Sequence, residues 1–504
     1  MSDRDNTFSA PSLSHSVYGA EWLRGWESQG AMLAGVPLYQ LMERAGAAAF
    51  HRILWLYPGT RRWLVLAGHG NNGGDGYVVA QLAAAAGKQV TVLACAWPHP
   101  LPAEAEQAKA AWRASGGVVH PADQHWPEDV EVIIDALLGT GLKAAPRDPY
   151  RALIIAANRH PAPVFALDIP SGLDADTGAT PGEVIRAAHT VTFIALKPGV
   201  LTGKARSVTG QLHYDDLGLG EWLKRETPLM ARLSAALLPR WLPARDPCAH
   251  KGDNGRLLIV GGDHGFAGAI RMTGEAALRC GAGLVRVLTR EENLPSLLTA
   301  RPELMVAPLT RDTLQQGLDW ADVVVIGPGL GQESWGKNAL RVVENCDKPM
   351  LWDADALNLL AFNPEKRHNR IITPHPGEAA RLLNGKVGDI ERDRLGSARQ
   401  LVRRYGGVVV LKGAGTLLAA DDGAVAVADV GNAGMASGGM GDVLSGIIGG
   451  LLAQKLSLYD AACAGCVVHG ATADHLAVAK GTRGMLATDL LPALYLFVNP
   501  ELTA

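Results

Sequence analysis

The sequence contains little cysteine, no excess of charge of either sign and no long apolar run. Its 504 residues include six cysteines, a scarcity that suits a reducing cytoplasm. Lys and Arg number 47 against 50 Asp and Glu, so the net charge of −3 excludes a strongly basic nucleic-acid-binding protein. No uncharged apolar run reaches about 18 residues, and no apolar segment follows the polar residues 1–16. We therefore expect neither a membrane span nor a signal peptide.

Two of the cysteines, Cys463 and Cys466, form a C-x-x-C pattern. A redox or metal function for this pattern needs a strand-to-helix turn or a second cysteine pair, and the sequence has neither nearby. The pair lies in an Ala-rich helical pattern, where free cysteine packs as a small apolar side chain. We therefore predict that both are buried structural thiols.

The order of secondary structure predicts two α/β domains. Strand-like and Ala-rich helical runs alternate along the chain, which is typical of doubly wound parallel sheets. The alternation pauses at a proline-rich segment, residues 228–247, which we interpret as a linker. The predicted domains are residues 1–228 and 229–504. Predicted strands are residues 62–67, 89–94, 130–134, 164–167, 190–195, 256–260, 285–288, 323–326, 350–352, 370–372 and 408–411, and predicted helices include 77–86, 104–114 and 269–280.

A glycine-rich segment follows the first predicted strand. Gly68-His-Gly-Asn-Asn-Gly-Gly-Asp75 contains G-x-G-x-x-G, in which glycine lets the backbone approach a pyrophosphate at a helix N-terminus. A Rossmann dehydrogenase would show an acidic residue at the end of the next strand. That strand ends in Leu93-Ala-Cys-Ala96, so a dehydrogenase is disfavoured.

Two further polar clusters close later strands of the first half. Asp135 begins Asp-Ala-Leu-Leu-Gly-Thr-Gly141, and Asp168 begins Asp-Ile-Pro-Ser-Gly, in which the serine is Ser171. Because the carboxyl ends of parallel strands line one crevice, we expect these side chains to converge with Asn72. Such oxygen ligands suit an alkali or alkaline-earth cation.

In these motifs, with Phe193-Ile-Ala-Leu-Lys-Pro-Gly199, residues 15–225 resemble the NAD(P)H-hydrate epimerase domain. The resemblance implies a Rossmann-like three-layer αβα fold and a substrate that is reduced nicotinamide nucleotide hydrated at C6. We hypothesise that Asp168 acts beside C6 as acid, base and electrostatic stabiliser. The resemblance implies a potassium site at Asn72, Asp135 and Ser171. It implies substrate contacts from Asn71, Asn72, Gly73, Gly74, Asp75, Gly139, Thr140, Gly141, Leu142, Lys143, Ala144, Ala145 and Asp168.

A second glycine-rich segment precedes the apolar helix of the second half. Gly434-Met-Ala-Ser-Gly-Gly-Met-Gly-Asp442 offers backbone N–H groups as an anion cradle and places Asp442 beside it. A kinase-like reaction needs both a base near the accepting hydroxyl and such a cradle. Lys412-Gly-Ala-Gly-Thr416 is too short for a Walker P-loop but follows a strand, as does His375 between two prolines.

Residues 230–500 resemble the NAD(P)H-hydrate dehydratase family, which has a ribokinase-like fold. The resemblance lies in His250-Lys-Gly-Asp-Asn-Gly255, G-P-G-L-G, H-P-G-E, K-G-A-G-T and G-G-M-G-D. It implies that ADP, with magnesium, phosphorylates the C6 hydroxyl and that phosphate is then eliminated. The implied catalytic base is Asp442. The implied hydrate contacts are Ala269, Gly329, His375 and Asp442, and the implied nucleotide contacts are Lys412, Gly413, Ala414, Gly415, Thr416 and Gly441.

Together the two halves predict a bifunctional enzyme of metabolite repair, an isomerase joined to a lyase. We expect a cytoplasmic homo-oligomer that binds NADHX or NADPHX and ADP, but neither nucleic acid nor membrane. A vitamin or sugar kinase with an accessory domain remains an alternative, because ribokinase-like folds host several substrates. A purely binding role for the first half is a second alternative, which the presence of Asn72, Asp135, Asp168 and Ser171 disfavours.

Overall fold

The computed structural model describes residues 13–96 and 98–500. The chain forms two compact units, Met1–Ala231 and Arg232–Ala504. We call them the N-terminal and the C-terminal unit.

The N-terminal unit contains a seven-stranded sheet in which every neighbouring pair is parallel. In spatial order its strands are Val119–Pro121, Gln89–Ala94, Arg62–Ala67, Val132–Ala136, Val164–Leu167, His189–Phe193 and Gln211–Asp215. The chain therefore winds outward in both directions from Arg62–Ala67. The topological switch point, where ligands bind in doubly wound sheets, lies between Arg62–Ala67 and Val132–Ala136.

Successive side chains of the strand Arg62–Ala67 pack into two different apolar clusters. Trp63 and Val65 pack in one buried cluster, whereas Leu64 and Leu66 pack in another. Successive side chains of a strand point to opposite faces, so helices cover both faces of this sheet. The helices of the unit are Ala20–Leu33, Leu38–Leu56, Asn71–Ala85, Ala103–Ala114, Tyr150–Arg159, Ala205–Val208 and Gly220–Leu223, with a 3₁₀ turn at Pro198–Val200.

The C-terminal unit is built on a larger mixed sheet. Its strands include, in spatial order, Val425–Ala428, Thr416–Ala420, Val408–Leu411, Arg370–Ile372, Met350–Trp352, Val323–Ile326, Arg256–Val260, Leu284–Thr289 and Met305–Pro308. The first three pair antiparallel, and the remaining neighbours are parallel. The switch point lies where Arg256–Val260 contacts both Val323–Ile326 and Leu284–Thr289.

Helices surround this sheet, and one of them is buried along nearly its whole length. Met440–Ala453 packs against Ala267–Arg279, where a Cβ added to Gly446 would come within 2.2 Å of the Thr273 carbonyl oxygen. Glycine therefore permits the close approach of these two helices. The other helices are Leu238–Trp241, Leu294–Ala300, Arg311–Trp320, Ser334–Val343, Asp355–Phe362, Pro376–Leu382, Val387–Arg392, Arg394–Tyr405, Leu458–Lys480, Ala487–Leu490 and Tyr495–Val498.

Two sequence-based expectations need correction. The first long helix after the glycine-rich segment begins at Asn71, not at residue 77, so Asn71 to Asp75 form its first turn. The proposed linker, residues 228–247, is in part regular structure, with a strand at Met230–Leu233, a 3₁₀ turn at Ala235–Leu237 and a helix at Leu238–Trp241. Cys463 and Cys466 are buried free thiols, as predicted.

Within the described part of the chain, no helix has both the length and the apolar character that a membrane crossing requires.

Candidate active sites

A cavity of 920 Å³ opens at the switch point of the N-terminal unit. It lies between the turn that follows Arg62–Ala67 and the loop that follows Val132–Ala136. These two segments touch at Gly68, where a Cβ would come within 1.7 Å of the Leu137 carbonyl oxygen, so only glycine fits there. The sequence-predicted residues that line the cavity are Asn71, Asn72, Asp75, Gly139, Thr140, Gly141, Leu142, Lys143, Ala144 and Asp168.

Asp168 is held in this cavity in a strained backbone conformation. Its φ is +62°, a left-handed value that costs roughly 1–2 kcal/mol for a residue with a Cβ. Its Oδ1 accepts hydrogen bonds from Thr192 Oγ1 and the Phe193 N–H, both at 3.2 Å, and from Lys197 Nζ at 2.5 Å. Such strain persists where the surrounding structure enforces it, which is characteristic of functional sites.

Lys197 is a site residue that sequence reasoning did not identify. Its side chain is 1% exposed, and besides Asp168 its ammonium contacts Thr192 Oγ1 at 3.0 Å and the Phe193 carbonyl at 2.7 Å. The available signal was a lysine inside the apolar run 193–198, since a buried lysine must be paired. Lys197 therefore fixes the position and the charge of Asp168.

Three more carboxyl groups, those of Asp75, Glu27 and Glu104, share the cavity with this ion pair. Burial raises the pKa of Asp75 well above its usual range, and the negative charges of Asp168 and Glu27 raise it further. Burial also raises the pKa of Glu27, with Asp168 as the next cause. Glu27 belongs to helix Ala20–Leu33, which precedes every motif that sequence reasoning used.

Asn72, Asp135 and Ser171 provide a set of oxygen ligands beside the cavity. Ser171 donates from its hydroxyl to Asp135 Oδ1 at 2.6 Å and from its N–H to Asp135 Oδ2 at 2.8 Å. Burial raises the pKa of Asp135 to about 6 although these hydrogen bonds oppose the shift. Asn72 is 8% exposed, and both polar atoms of its amide are buried without a hydrogen-bond partner. An orphaned buried amide and a buried carboxylate fit a weakly hydrated monovalent cation such as potassium.

Three of the predicted substrate contacts, Gly73, Gly74 and Ala145, do not line the cavity. The added Cβ of Gly73 would come within 2.1 Å of the Gly68 carbonyl oxygen, and that of Gly74 within 2.6 Å of the Met42 side chain. Ala145 instead packs against Gly182. Close packing, rather than contact with a ligand, therefore explains why glycine occupies positions 73 and 74 and why a small side chain occupies position 145.

In the C-terminal unit the predicted residues gather around a buried ion pair. Lys412 Nζ donates to Asp353 Oδ1 at 2.8 Å and lies 3.8 Å from Glu378 Oε2, while Ser445 Oγ donates to Asp353 Oδ2 at 2.8 Å. Burial alone would raise the pKa of Asp353, but the Lys412 ammonium and these hydrogen bonds hold it below its usual range. A Cβ on Gly441 would lie 3.4 Å from the Lys412 ammonium, so the glycine-rich turn passes directly over this pair.

Asp442 lies in the first turn of helix Met440–Ala453, directly after that turn. The preceding Gly439 has φ +88°, which allows the chain to enter the helix abruptly. Burial and the neighbouring Asp353 raise the pKa of Asp442 to about 6, and Lys412 opposes the shift. A carboxylate with a pKa near neutrality is well matched to accept a proton at physiological pH.

His375 lies at the start of helix Pro376–Leu382 beside Lys412. The backbone N–H of Lys412 donates to the Pro374 carbonyl at 2.9 Å. The backbone N–H of His375 donates to Glu378 Oε2 at 2.8 Å. Burial raises the pKa of Glu378 to about 7. Asp353 and Glu378 are thus functional candidates that sequence reasoning missed, although Asp353 directly follows a strand in the same way as Asp168.

The remaining predicted residues flank this cluster. A Cβ on Gly329, whose φ is +57°, would lie 3.4 Å from the Ala269 Cβ, and Met272 of the same helix contacts Gly439. The loop after Lys412 has positive φ at Gly413 and Gly415. The buried guanidinium of Arg394 donates to the carbonyls of Leu411 and Lys412 and so supports this loop from below. The loop residues are Lys412, Gly413, Ala414, Gly415 and Thr416.

Two α/β units, each with a charged site at the carboxyl ends of its parallel strands, define a two-domain nucleotide-binding enzyme. Residues 38–199 match the family described as YjeF-related protein N-terminus, and residues 257–495 match NAD(P)H-hydrate dehydratase. The chain belongs to the family of bifunctional NAD(P)H-hydrate repair enzymes.

Full-length relatives and a solved structure agree with this assignment. The chain is 65% identical to the bifunctional NAD(P)H-hydrate repair enzyme Nnr of Escherichia coli over 100% of this chain and 98% of that protein. It is 46% identical to the Vibrio cholerae protein of the same name over 96% and 98%. A ribokinase-like protein from Enterococcus faecalis matches with a TM-score of 0.50 and 30% identity over 55% of this chain and 97% of that one. The predictions of an enzyme of this family and of a doubly wound α/β fold are confirmed.

Proposed function

We propose that the N-terminal domain, residues 1–228, interconverts the R and S forms of NADHX and NADPHX. We further propose that the C-terminal domain, residues 229–504, dehydrates the S form at the expense of ADP. The observation that supports this most directly is that each unit carries its own site, in which a buried lysine fixes one carboxylate and leaves another for proton transfer. Relatives that share the whole length of the chain are named as NAD(P)H-hydrate repair enzymes.

Epimerisation follows from the chemistry of C6, which bears both the hydroxyl and the ring nitrogen. Loss of hydroxyl as water leaves an iminium-like cation, and water then returns to either face. Lys197 and two further donors bind the Oδ1 of Asp168 and hold this carboxylate in the cavity, where it stabilises that cation. The predicted contacts that line the cavity, Asn71, Asn72, Asp75 and residues 139–144, hold the remainder of the nucleotide.

Asn72, Asp135 and Ser171 would hold the potassium ion. When bound, potassium would compensate the charge of Asp135 and bring order to the turn that contacts the substrate.

Dehydration begins when Asp442 accepts the proton of the C6 hydroxyl. The hydroxyl oxygen forms a bond to the terminal phosphorus of ADP, and the bond to the bridging oxygen breaks to release AMP. The ring nitrogen then expels phosphate from C6, and loss of a proton from C5 restores the dihydronicotinamide. Lys412 and the N–H groups of residues 438–441 bind the phosphates.

Magnesium would enter this site with the nucleotide. Among the described residues no group of three or more His, Cys, Asp or Glu forms a metal site, so the ion would be held by phosphates with one or two of Asp353, Glu378 and Asp442. When bound, magnesium would neutralise charge on the phosphates.

The test is absorbance at 340 nm on a mixture of S and R NADHX with ADP and magnesium. Recovery of NADH from both epimers is expected. Recovery of only the S fraction would remove the epimerase activity from the proposal. A stable phosphorylated product, or no recovery with either ADP or ATP, would instead favour a small-molecule kinase. We also propose that the protein is a cytoplasmic homo-oligomer. Gel filtration of the native protein with light scattering tests its oligomeric state.

A further inference from the structure

One face of helix Ala20–Leu33 forms a wall of the N-terminal cavity. The residues of this helix that line it recur every three or four positions, which places them on a single face. They are Ala20, Leu23, Arg24, Glu27 and Ser28. Glu27 is therefore directed into the cavity, whereas Glu21 of the same helix is exposed and does not line it.

The helix is firmly docked, so Glu27 is on a rigid element. Trp22 stacks on Trp222 with ring centroids 5.7 Å apart and an interplanar angle of 9°. A Cβ on Gly30 would come within 2.5 Å of the same indole, which shows how closely the helix approaches it. Arg24 donates to the carbonyl oxygen of Thr140, in the loop predicted to hold the substrate. Rigid placement of this kind is what a group that transfers protons requires.

Carboxyl groups outnumber cations in the lining of the cavity. Four carboxyl groups, those of Asp168, Asp75, Glu27 and Glu104, face three cations, Lys197, Arg24 and Lys143. The Lys197 ammonium binds Asp168, Lys143 lies 3.8 Å from Asp176, and Arg24 donates to the Thr140 carbonyl. Asp75 and Glu27 have raised pKa values, mainly from burial and then from Asp168. The other polar side chains that line the cavity are Ser28, His69, Asn71, Asn72, Thr140 and Tyr150.

We propose that Glu27 is the acid of the epimerisation, a catalytic residue whose carboxyl group donates a proton to the departing C6 hydroxyl. The proposal rests on the epimerase function proposed above. It transfers the proton-donating role from Asp168 to Glu27. Asp168 then acts only as the ionised group that stabilises the cation, and the roles of the two carboxyl groups follow from their different environments.

The step is balanced without any further reagent. The Glu27 proton bonds to the hydroxyl oxygen as the C6–O bond breaks, which releases water and leaves the electron pair of the ring nitrogen shared with C6. A water molecule then adds to either face of C6 and returns one proton to the Glu27 carboxylate. The enzyme is thus restored, and only the configuration at C6 has changed.

Glu27 and Asp75 differ in their position. Glu27 lies on the face of helix Ala20–Leu33 that forms a wall of the cavity, apart from the glycine-rich segment. Asp75 belongs to helix Asn71–Ala85, which begins in that segment. Asp75 also lies in the turn that is predicted to bind the nucleotide, so its loss should act mainly on KM.

The experiment follows the interconversion of purified R-NADHX to S-NADHX by chromatography, without ADP so that the dehydratase is silent. Glu27→Gln should lower kcat by about 100-fold or more while KM changes little. Glu21→Gln, the same change on the exposed side of the same helix, should match the wild-type chain. Asp75→Asn should raise KM more than it lowers kcat.

Three results would overturn the proposal: Glu27→Gln within about threefold of wild-type kcat, an equal loss in Glu21→Gln, or loss of kcat in Asp75→Asn alone. If the wild-type chain itself does not interconvert the epimers, the epimerase function fails instead, so the two failures are distinct. If Glu27→Gln does not fold by circular dichroism, Glu27→Asp decides. Glu27→Asp keeps a carboxylic acid at this position, so its epimerisation rate should still fall as pH rises. A pH profile unlike that of the wild-type chain would refute the role of Glu27 as the acid.

Discussion

The buried pair of Asp353 and Lys412 is the residue-scale feature on which the C-terminal site depends. Their side chains are 2% and 19% exposed, and the nitrogen and oxygen lie 2.8 Å apart. Asp353 also accepts from Ser445, whereas Lys412 approaches Glu378 as well. Removal of one charge from such a pair leaves the other buried without compensation, and this costs more than the pair itself contributes.

Lys412→Met should therefore lower the free energy of unfolding of the C-terminal unit by about 3–5 kcal/mol. The double variant Lys412→Met/Asp353→Asn should recover much of this loss, because no uncompensated charge remains. Neither variant should use ADP. Chemical denaturation of the wild-type chain, both single variants and the double variant measures the coupling. Additive single effects would contradict a coupled pair.

We expect a substitution of Asp442 to change activity and stability in opposite directions. Asp442→Asn should abolish dehydration and leave epimerisation unchanged. In the wild-type chain the dehydratase rate should fall as pH drops through about 6, because the base becomes protonated. Melting of the variant and dehydratase rates of the wild-type chain, both measured from pH 4 to 8, test this.

The stability change follows from the same pKa. Folding raises the pKa of Asp442 from 3.8 to about 6. The protonated carboxyl group therefore stabilises the fold fully below pH 3.8, and this contribution to stability is lost as pH rises through 6. Asparagine mimics the protonated form at every pH. The variant should thus be more stable by about 1–3 kcal/mol at neutral pH and no more stable near pH 4. If the variant and the wild-type chain were equally stable at pH 8, burial of the Asp442 carboxylate would not destabilise the fold.

Single residues could be predicted from the sequence where they stand in a motif that ends a strand or begins a helix. Asp168, Asp442 and His375 stand in such motifs, and the structure places them at strand ends or helix starts beside other charges. Lys197 and Glu27 were missed because their role depends on tertiary contacts. Lys197 interrupts an apolar run and Glu27 belongs to a helix outside the motifs, so neither has a local signal of its function.

At the scale of elements, helix Leu458–Lys480 positions the glycine-rich segment that leads to Asp442. Asp474 accepts from the Gly431 N–H at 2.7 Å and from Asn432 Nδ2 at 2.8 Å. Asn432 Oδ1 in turn accepts from the Gly434 N–H at 3.0 Å. One carboxylate on a long helix thereby fixes the start of the segment that we propose cradles the phosphates.

Asp474→Ala should loosen that segment and raise the KM for ADP by roughly tenfold, since hydrogen bonds to a charged group contribute about 1.5–3 kcal/mol each. Because the change acts on positioning, kcat should fall less than kcat/KM. Asp347→Ala, which removes an exposed carboxylate in the same unit, is the matched control. Steady-state kinetics with varied ADP provide the measurement, and the epimerase rate of the same sample is an internal reference. An unchanged KM would contradict positioning by Asp474.

Elements were predictable to the extent that their local pattern was strong. The strands Arg62–Ala67, Arg256–Val260 and Val408–Leu411 have the predicted bounds because they are continuous runs rich in branched apolar residues. The antiparallel strands Thr416–Ala420 and Val425–Ala428 were missed, since their alanines carry little strand preference. The helix at Asn71 began earlier than predicted because its glycines and asparagines ordinarily disfavour helix, whereas here Gly73 and Gly74 permit close packing against Gly68 and Met42.

At the scale of the whole molecule, the chain has two compact units with separate chemistry. Each unit contains one large sheet covered by helices. The residues that line the N-terminal cavity lie between positions 20 and 217, and the ion pair of the C-terminal site joins residues 353 and 412. The R hydrate would be repaired by epimerisation in one unit followed by dehydration in the other, so the product of the first must reach the second.

This arrangement predicts complementation between two defective chains. Asp168→Asn should lose epimerisation and keep dehydration, whereas Asp442→Asn should lose dehydration and keep epimerisation. Neither variant alone should convert R-NADHX to NADH faster than the rate without protein, but an equal mixture should, because the S hydrate formed on one chain can diffuse to the other. Absorbance at 340 nm with ADP and magnesium follows the reaction.

The concentration dependence of that mixture distinguishes two ways in which the units work together. If the S hydrate passes through solution, the mixture should approach half of the wild-type rate at equal total protein, and dilution should lengthen the lag before NADH appears. The wild-type chain should show the same lag, because its own intermediate also diffuses. A wild-type chain without a lag, beside a mixture that shows one, would mean that the fused units transfer the intermediate directly. A mixture no faster than the variants alone would mean that each site depends on the other within one chain, and would refute the separation of activities inferred from the fold.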